Sequence, residues 1–329
     1  MSEKNQTVAT VITEFFIVGF PGLQPEYYNL MAAVFLSIYV AVLVGNSVFM
    51  VLFAIETSLH KPMYIIMLNL AVSDVGFCTV ALPKLISRYW FNNGSISFQL
   101  CLMQRLFIHY FGTLNSLIMM IMALDRYLAI CFPLRYPALM TNRTMGLLSG
   151  LSWASALISP SISSWLTVMM PFCGPNLIIN CFCDTLSMNN LACTDTRAVY
   201  QVQFSMAMFV LLAPFSFIIF SYGSILVTVI RTVNSQGRLK AFSTCATQLC
   251  IISFYYAPRF FVYATPNIPN LKMTVDQRLA ISMFYSLMPP LVNPLIYCFR
   301  TKEIQQLFGK WCSRKNMMSQ KVSVIFFPK

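Results

Sequence analysis

Four polar side chains interrupt long apolar runs of this chain: Asn46, Asp74, Asn115 and Asn293. A polar group surrounded by hydrocarbon is costly and turns inward to find partners, so the four together point to a connected polar centre. Asp74 is its key member. An unpaired carboxylate in low dielectric takes up a proton or holds a cation, and sodium near Asp74 is the metal to consider. Each of the four, taken singly, is equally well read as a satisfied packing residue. Five cysteines form a second group: Cys101, Cys173, Cys181, Cys183 and Cys193, four of them within twenty-one residues. Such crowding suits disulfides in an oxidising compartment, and sequence leaves their pairing open. Hydrolytic and metal chemistry find little support. There are two histidines, His60 and His109, and neither Gly-x-Ser-x-Gly nor His-Glu-x-x-His occurs. We therefore expect no enzyme and no cofactor.

Two further sets sit at helical spacing. Arg105, His109, Gly112, Thr113 and Ser116 recur at offsets of 4, 7, 8 and 11, one face of a helix. Tyr256, Arg259 and Tyr263 recur at offsets of 3 and 7. Ordinary interhelical hydrogen bonding explains much of both. Arg259 asks for more, because a guanidinium inside an apolar run needs an anion, water or a carbonyl. Asp125-Arg126-Tyr127 closes another run; Asp and Arg there bind each other or a protein docking beside them, Arg through its planar fork.

The elements that must position these groups are membrane spans. With 329 residues, 57% hydrophobic and 10% charged, the chain has too little polar surface for a water-facing domain. A helical span needs roughly 20 apolar residues. Seven blocks qualify: Met31–Phe53, Tyr64–Ser87, Leu100–Ala123, Met145–Met169, Val199–Ile230, Phe242–Thr265 and Gln277–Phe299. The third and sixth carry charges that weaken their apolar signal. The expected fold is an all-α seven-transmembrane helix bundle over 30–300, with a tail at 1–29, an interfacial helix at 301–312 and a second tail at 313–329.

Loop charge sets the orientation. With the N-terminus outside, fourteen of the twenty-two Lys and Arg residues fall on the inner side. The net charge of +12 then lies mostly beside anionic lipid, and nucleic acid is not an expected partner. No removable signal peptide is expected in the first thirty residues. Asn5 and Asn93 head glycosylation sequons on the outer side; the sequon at Asn142 falls inside and should stay bare. In the seventh block Ser282, Ser286, Asn293 and Tyr297 share a face that Pro289, Pro290 and Pro294 break, the makings of a two-state element. Beyond it Ile304, Leu307, Phe308 and Trp311 form an apolar stripe suited to the membrane interface, ending at Cys312, a candidate for palmitoylation.

Taken together, these motifs resemble those of the rhodopsin-like G-protein-coupled receptors, and within them the odorant receptors. The residues that carry the resemblance are Gly45-Asn46, Leu59-His-Lys-Pro-Met-Tyr64, Leu70-Ala-Val-Ser-Asp74 and Met122 through Cys131. Ser221 through Leu226, Lys240-Ala-Phe-Ser-Thr-Cys245 and Pro289 through Tyr297 complete the set. Gly19-Phe-Pro-Gly-Leu23 is similar to the fish-like, class I branch. The resemblance implies disulfides Cys101–Cys183 and Cys173–Cys193, with Cys181 spare. It also implies that Arg126, between Asp125 and Tyr127, is released towards a G protein, supported by Tyr222 and Tyr297, with Asn293 and Pro294 in the activation motif. Two features depart from the pattern. Leu124 stands where the family usually has Tyr, and Arg238-Leu-Lys240 offers no acid to hold Arg126.

On this resemblance the chain is expected to be a plasma-membrane odorant receptor that activates a stimulatory olfactory-type G protein and raises cyclic AMP. The expected ligand, a small polar or anionic odorant, meets Arg259 with His109 and Tyr256. Gly112 leaves room, Thr113 offers a donor, and Ile108, Met206, Val210, Phe260 and Met283 wall its hydrocarbon part. A non-olfactory receptor for a small metabolite is the alternative. A channel or transporter is disfavoured, since no internal repeat or charged path is evident.

Overall fold

The computed structural model describes residues 13–173, 175–232, 235–264, 273–300 and 304–307. Seven spans follow one another: Tyr28–Ile55, Pro62–Trp90, Phe98–Cys131, a fourth in two pieces, then Arg197–Thr232, Ser235–Ala264 and Val275–Arg300. Six are long and apolar enough to cross a membrane; the sixth in order is strongly apolar only over Leu249–Val262. Most expected blocks are extended by several residues at one or both ends, because polar end residues continue the helical ladder where hydropathy has already fallen. The fourth block differs in kind. It divides into Asn142–Ser155 and Ile158–Val168. Pro160 explains the division: it has no N–H for the carbonyl of Ala156, and its ring crowds that position.

A three-stranded sheet, which the helical reading did not include, closes the upper end of the bundle. β1 (Glu14–Ile17) runs antiparallel to β2 (Ser95–Ser97) and parallel to β3 (Leu177–Ile178), in the order β2-β1-β3. Alternation decides its faces. Phe15 and Ile17 turn inward, 1% and 0% exposed, against Ile96, Ile178, Met188 and the Cys101 and Cys183 pair. The chain then turns at Gly19, whose φ of 75° and contact with the Tyr89 hydroxyl exclude a β-carbon. Arg88 fastens the strand further, donating to the Ile17 carbonyl at 3.1 Å and stacking on Phe16 and Tyr28.

Two buried clusters centre on the first three spans and draw in residues of the fourth, the seventh and the outer segment. The lower joins Leu59, Leu70, Leu114, Ile118 and Met145, and the upper joins Phe77, Leu82, Ile108, Phe182, Met283 and Leu287. A third cluster binds the third, fifth and sixth spans through Met119, Leu211, Ile218, Ile252 and Tyr256. Gly45 lets the first span approach the seventh, since a β-carbon there would meet Pro294 Cβ at 3.2 Å. Of the expected interfacial helix, 304–307 is helical, with Ile304 buried against the lower cluster. Cys312, Phe308 and Trp311 lie outside the described residues, as do Asn5 and the side chains of Tyr263, Arg238, Lys240 and Tyr297.

Candidate functional site

At mid-depth the polar residues of four spans meet. Asp74 is wholly buried and accepts from Asn293 Nδ2 at 2.7 Å and from Asn115 Nδ2 at 3.3 Å. Asn46 joins the seventh span by another route, donating to the Pro290 carbonyl at 3.1 Å. That carbonyl is available because Pro294, four residues on, has no N–H to claim it. The proline-broken helix and the first-span amide thus complete one another. Asn46, Asn115 and Asn293 each keep an Oδ1 without a partner, and so does Ser73 Oγ. A carboxylate among such oxygens is a hard donor set that fits a small cation such as sodium.

Below this centre lies Asp125-Arg126-Tyr127. Tyr136, from the short helix Tyr136–Leu139 after the third span, donates to Asp125 Oδ1 at 2.8 Å. Burial, and then the charge of Asp125, pushes the Tyr136 phenol up to about 12, so it stays a donor. Arg126 Nε stands 3.9 Å from Asp125 Oδ2, and its Nη2 donates to the Met63 thioether on the second span. Tyr127 meets Phe132 and Phe220 edge-on or tilted, while Tyr222 packs towards Cys245 of the sixth span. Sequence reading did not single out Tyr136 or Met63. Their signal was present in the motif Lys61-Pro-Met-Tyr64 and the Tyr after Pro133-Leu-Arg135, but no spacing ties either to residue 125 or 126.

Above the polar centre is a small cavity between the third, sixth and seventh spans. Gly112, Asn115, Tyr255, Arg259, Tyr285 and Ser286 are among the residues lining it. The Arg259 guanidinium lies 3.9 Å from the Tyr255 ring centre and 5.2 Å from that of Tyr285. Gly112 borders the guanidinium: a β-carbon there would stand 4.0 Å from Arg259 Nη2, an ordinary contact. The Tyr255 hydroxyl donates to the Gly112 carbonyl at 2.6 Å and lies 2.9 Å from Ser116 Oγ. Tyr256 turns elsewhere, against Phe215 at 4.7 Å and Phe260 at 6.1 Å. Ile108 and Met283 share the upper cluster. Thr113, Met206 and Val210 are half-buried, and beside the last two Met208 and Leu211 pack into the third cluster.

His109 reaches up to the outer segment, 3.1 Å from Thr185 Oγ1. Arg105 is fully buried and committed to the fourth span, donating to Thr167 Oγ1 at 2.7 Å and the Ser163 carbonyl at 3.1 Å. Asp184 caps the short helix Thr185–Asn189 through the Leu186 and Ser187 amides. Burial raises its carboxyl above the ordinary range, against the pull of those hydrogen bonds. The sulfurs join as Cys101–Cys183 and Cys173–Cys193, with Cα separations of 5.5 and 5.6 Å. Gln104, one turn after Cys101, accepts from the Cys183 amide at 3.0 Å. Cys181 is free and buried, its thiol raised chiefly by that burial. Asn93 is exposed, with its Oδ1 accepting from the Ser95 amide.

The architecture is that of a seven-span receptor. Squid rhodopsin superposes with a TM-score of 0.68 at 16% identity, over 88% of this chain and 81% of that one. Residues 35–315 match the family described as olfactory receptor. Relatives include olfactory receptor 1 of Rattus norvegicus, 36% identical over 96% of this chain and 98% of its own length. Olfactory receptor 1E2 of Gorilla gorilla gorilla is 37% identical over 96% and 99%, and olfactory receptor 6Y1 of Homo sapiens 35% over 92% and 91%. The chain belongs to the olfactory receptor family, whose members are multi-pass receptors and not enzymes.

Proposed function

We propose that this receptor takes a small anionic odorant at Arg259 in the upper half of the bundle. Binding there shifts it towards a state that drives a stimulatory olfactory-type G protein and raises cyclic AMP. The observation that carries the reading is the placement of Arg259: a guanidinium against two aromatic rings, bordering a cavity between the third, sixth and seventh spans. A carboxylate offers such a fork two parallel hydrogen bonds. The upper end faces outward at the plasma membrane, which leaves Asn5 and Asn93 available to glycosylation and the fish-like branch as the reading of Gly19–Leu23. A ligand shifts the balance only by its preference for the active packing. Drawing Arg259 upward loosens Tyr255 from the third span, so the sixth span moves outward below Pro258 and opens the crevice beside Arg126 and Tyr222. A bound sodium ion would lie with Asp74 and Asn293 and neutralise the charge of Asp74. Arg259→Ala tests the site. In surface-expressed receptor we expect loss of the cyclic AMP response to carboxylic acids; an unchanged dose response would remove the anion site.

A further inference from the structure

The lower wall of the same cavity has a chemistry of its own. Asn115 lies one helical turn below Gly112, about 4.5 Å along the axis, and lines the cavity while being 6% exposed. Its orientation is fixed: Asp74 accepts from Nδ2, so the amide oxygen is the end left over, and it has no partner. Across on the seventh span, Ser286 lines the cavity, and among the described residues its hydroxyl makes no hydrogen bond. The backbone adds to this. Pro289 and Pro290 lack the N–H groups that would bond the carbonyls of Tyr285 and Ser286, and all four residues border the cavity. The wall below the guanidinium therefore holds an acceptor that nothing satisfies, Asn115 Oδ1, beside the Ser286 hydroxyl.

We infer that the ligand has two polar ends, an anionic group for Arg259 and a hydrogen-bond donor, hydroxyl or ammonium, for Asn115 Oδ1 and Ser286. The class is a short hydroxy- or amino-carboxylate. This rests on the anion reading of Arg259 and adds the second contact. A plain alkanoate would leave the lower wall unpaired, and a site with unpaired polar groups discriminates against the analogue that lacks the donor.

The test compares sodium propanoate, 3-hydroxypropanoate and β-alanine on the full-length receptor, with cyclic AMP read at matched surface expression. One donor-bearing acid should be at least about tenfold more potent than propanoate, the size of one hydrogen bond. Whichever of the two wins assigns the donor as hydroxyl or ammonium. Ser286→Ala should shrink that ratio, whereas a merely structural serine would weaken all three acids alike. Equal potencies in the wild type, or a ratio that Ser286→Ala leaves unchanged, overturn the second contact while Arg259 stands. Silence to all three acids overturns both readings.

Discussion

The Tyr136 hydroxyl donates to Asp125 Oδ1 at 2.8 Å, while Arg126, the next residue along, approaches that carboxylate no nearer than 3.9 Å. The acid of Asp125-Arg126-Tyr127 is thus held by the following segment more closely than by its neighbour. Tyr136→Phe removes a hydrogen bond to a charged group, worth about 1.5–3 kcal/mol. We expect a lower inactivation temperature in the detergent-solubilised receptor; an unaltered one would show that the bond carries no weight. The pH dependence has a definite sign. The folded-state value is raised from the ordinary value of 10.0 to about 12, so the stabilisation is whole below the ordinary value and is lost as pH climbs towards the raised one.

Asp74 accepts from two amides whose N–H groups have no other partner among the described residues. Asp74→Ala strands both, at about 1–3 kcal/mol each, and should abolish signalling or surface expression. Asn293→Ala alone should be milder. In a double-mutant cycle the two changes should be less than additive by about 0.5–3 kcal/mol, read from thermal inactivation. Strict additivity would mean that the 2.7 Å contact contributes nothing.

The same hub indicates what a sequence discloses and what it withholds. Asn46, Asp74, Asn115 and Asn293 were visible because a polar residue in hydrocarbon is anomalous wherever it stands. Span number was visible for the converse reason, since the membrane demands long apolar runs. Which amide meets which oxygen was not visible, because that depends on helix rotation and on a carbonyl released by Pro294. Tyr255 and Tyr256 show the difficulty plainly. Both are aromatic neighbours, yet 100° of helical turn sends one to the cavity and the other to Phe215 and Phe260. The strand at Glu14–Ile17 is short, and its pairing joins segments that only the folded bundle brings together.

Cys181 and Cys183 are two residues apart, yet only Cys183 is bonded to the third span. Cys101→Ser or Cys183→Ser should destabilise the receptor by about 2–5 kcal/mol and suppress surface expression. Cys181→Ser breaks no disulfide, so it should lower surface expression less than either of those variants. If Cys181→Ser proved as harmful as Cys183→Ser, the partner of Cys101 would have to be reassigned.

Tyr255 does two things at once. Its ring lies under the Arg259 guanidinium at 3.9 Å, and its hydroxyl tethers the sixth span to the Gly112 carbonyl at 2.6 Å. Substitution separates them. Tyr255→Phe keeps the ring and removes the tether, worth about 1.4 kcal/mol or tenfold in a two-state balance. Agonist-independent cyclic AMP should therefore rise towards tenfold, with the potency of carboxylic acids kept or improved. Tyr255→Leu removes both contacts, so acid potency should fall while basal signalling still rises. Both measurements need matched surface expression. A Phe variant with wild-type basal signalling would show that the hydroxyl does not restrain the sixth span, and one that lost acid potency would place the ligand on the hydroxyl itself.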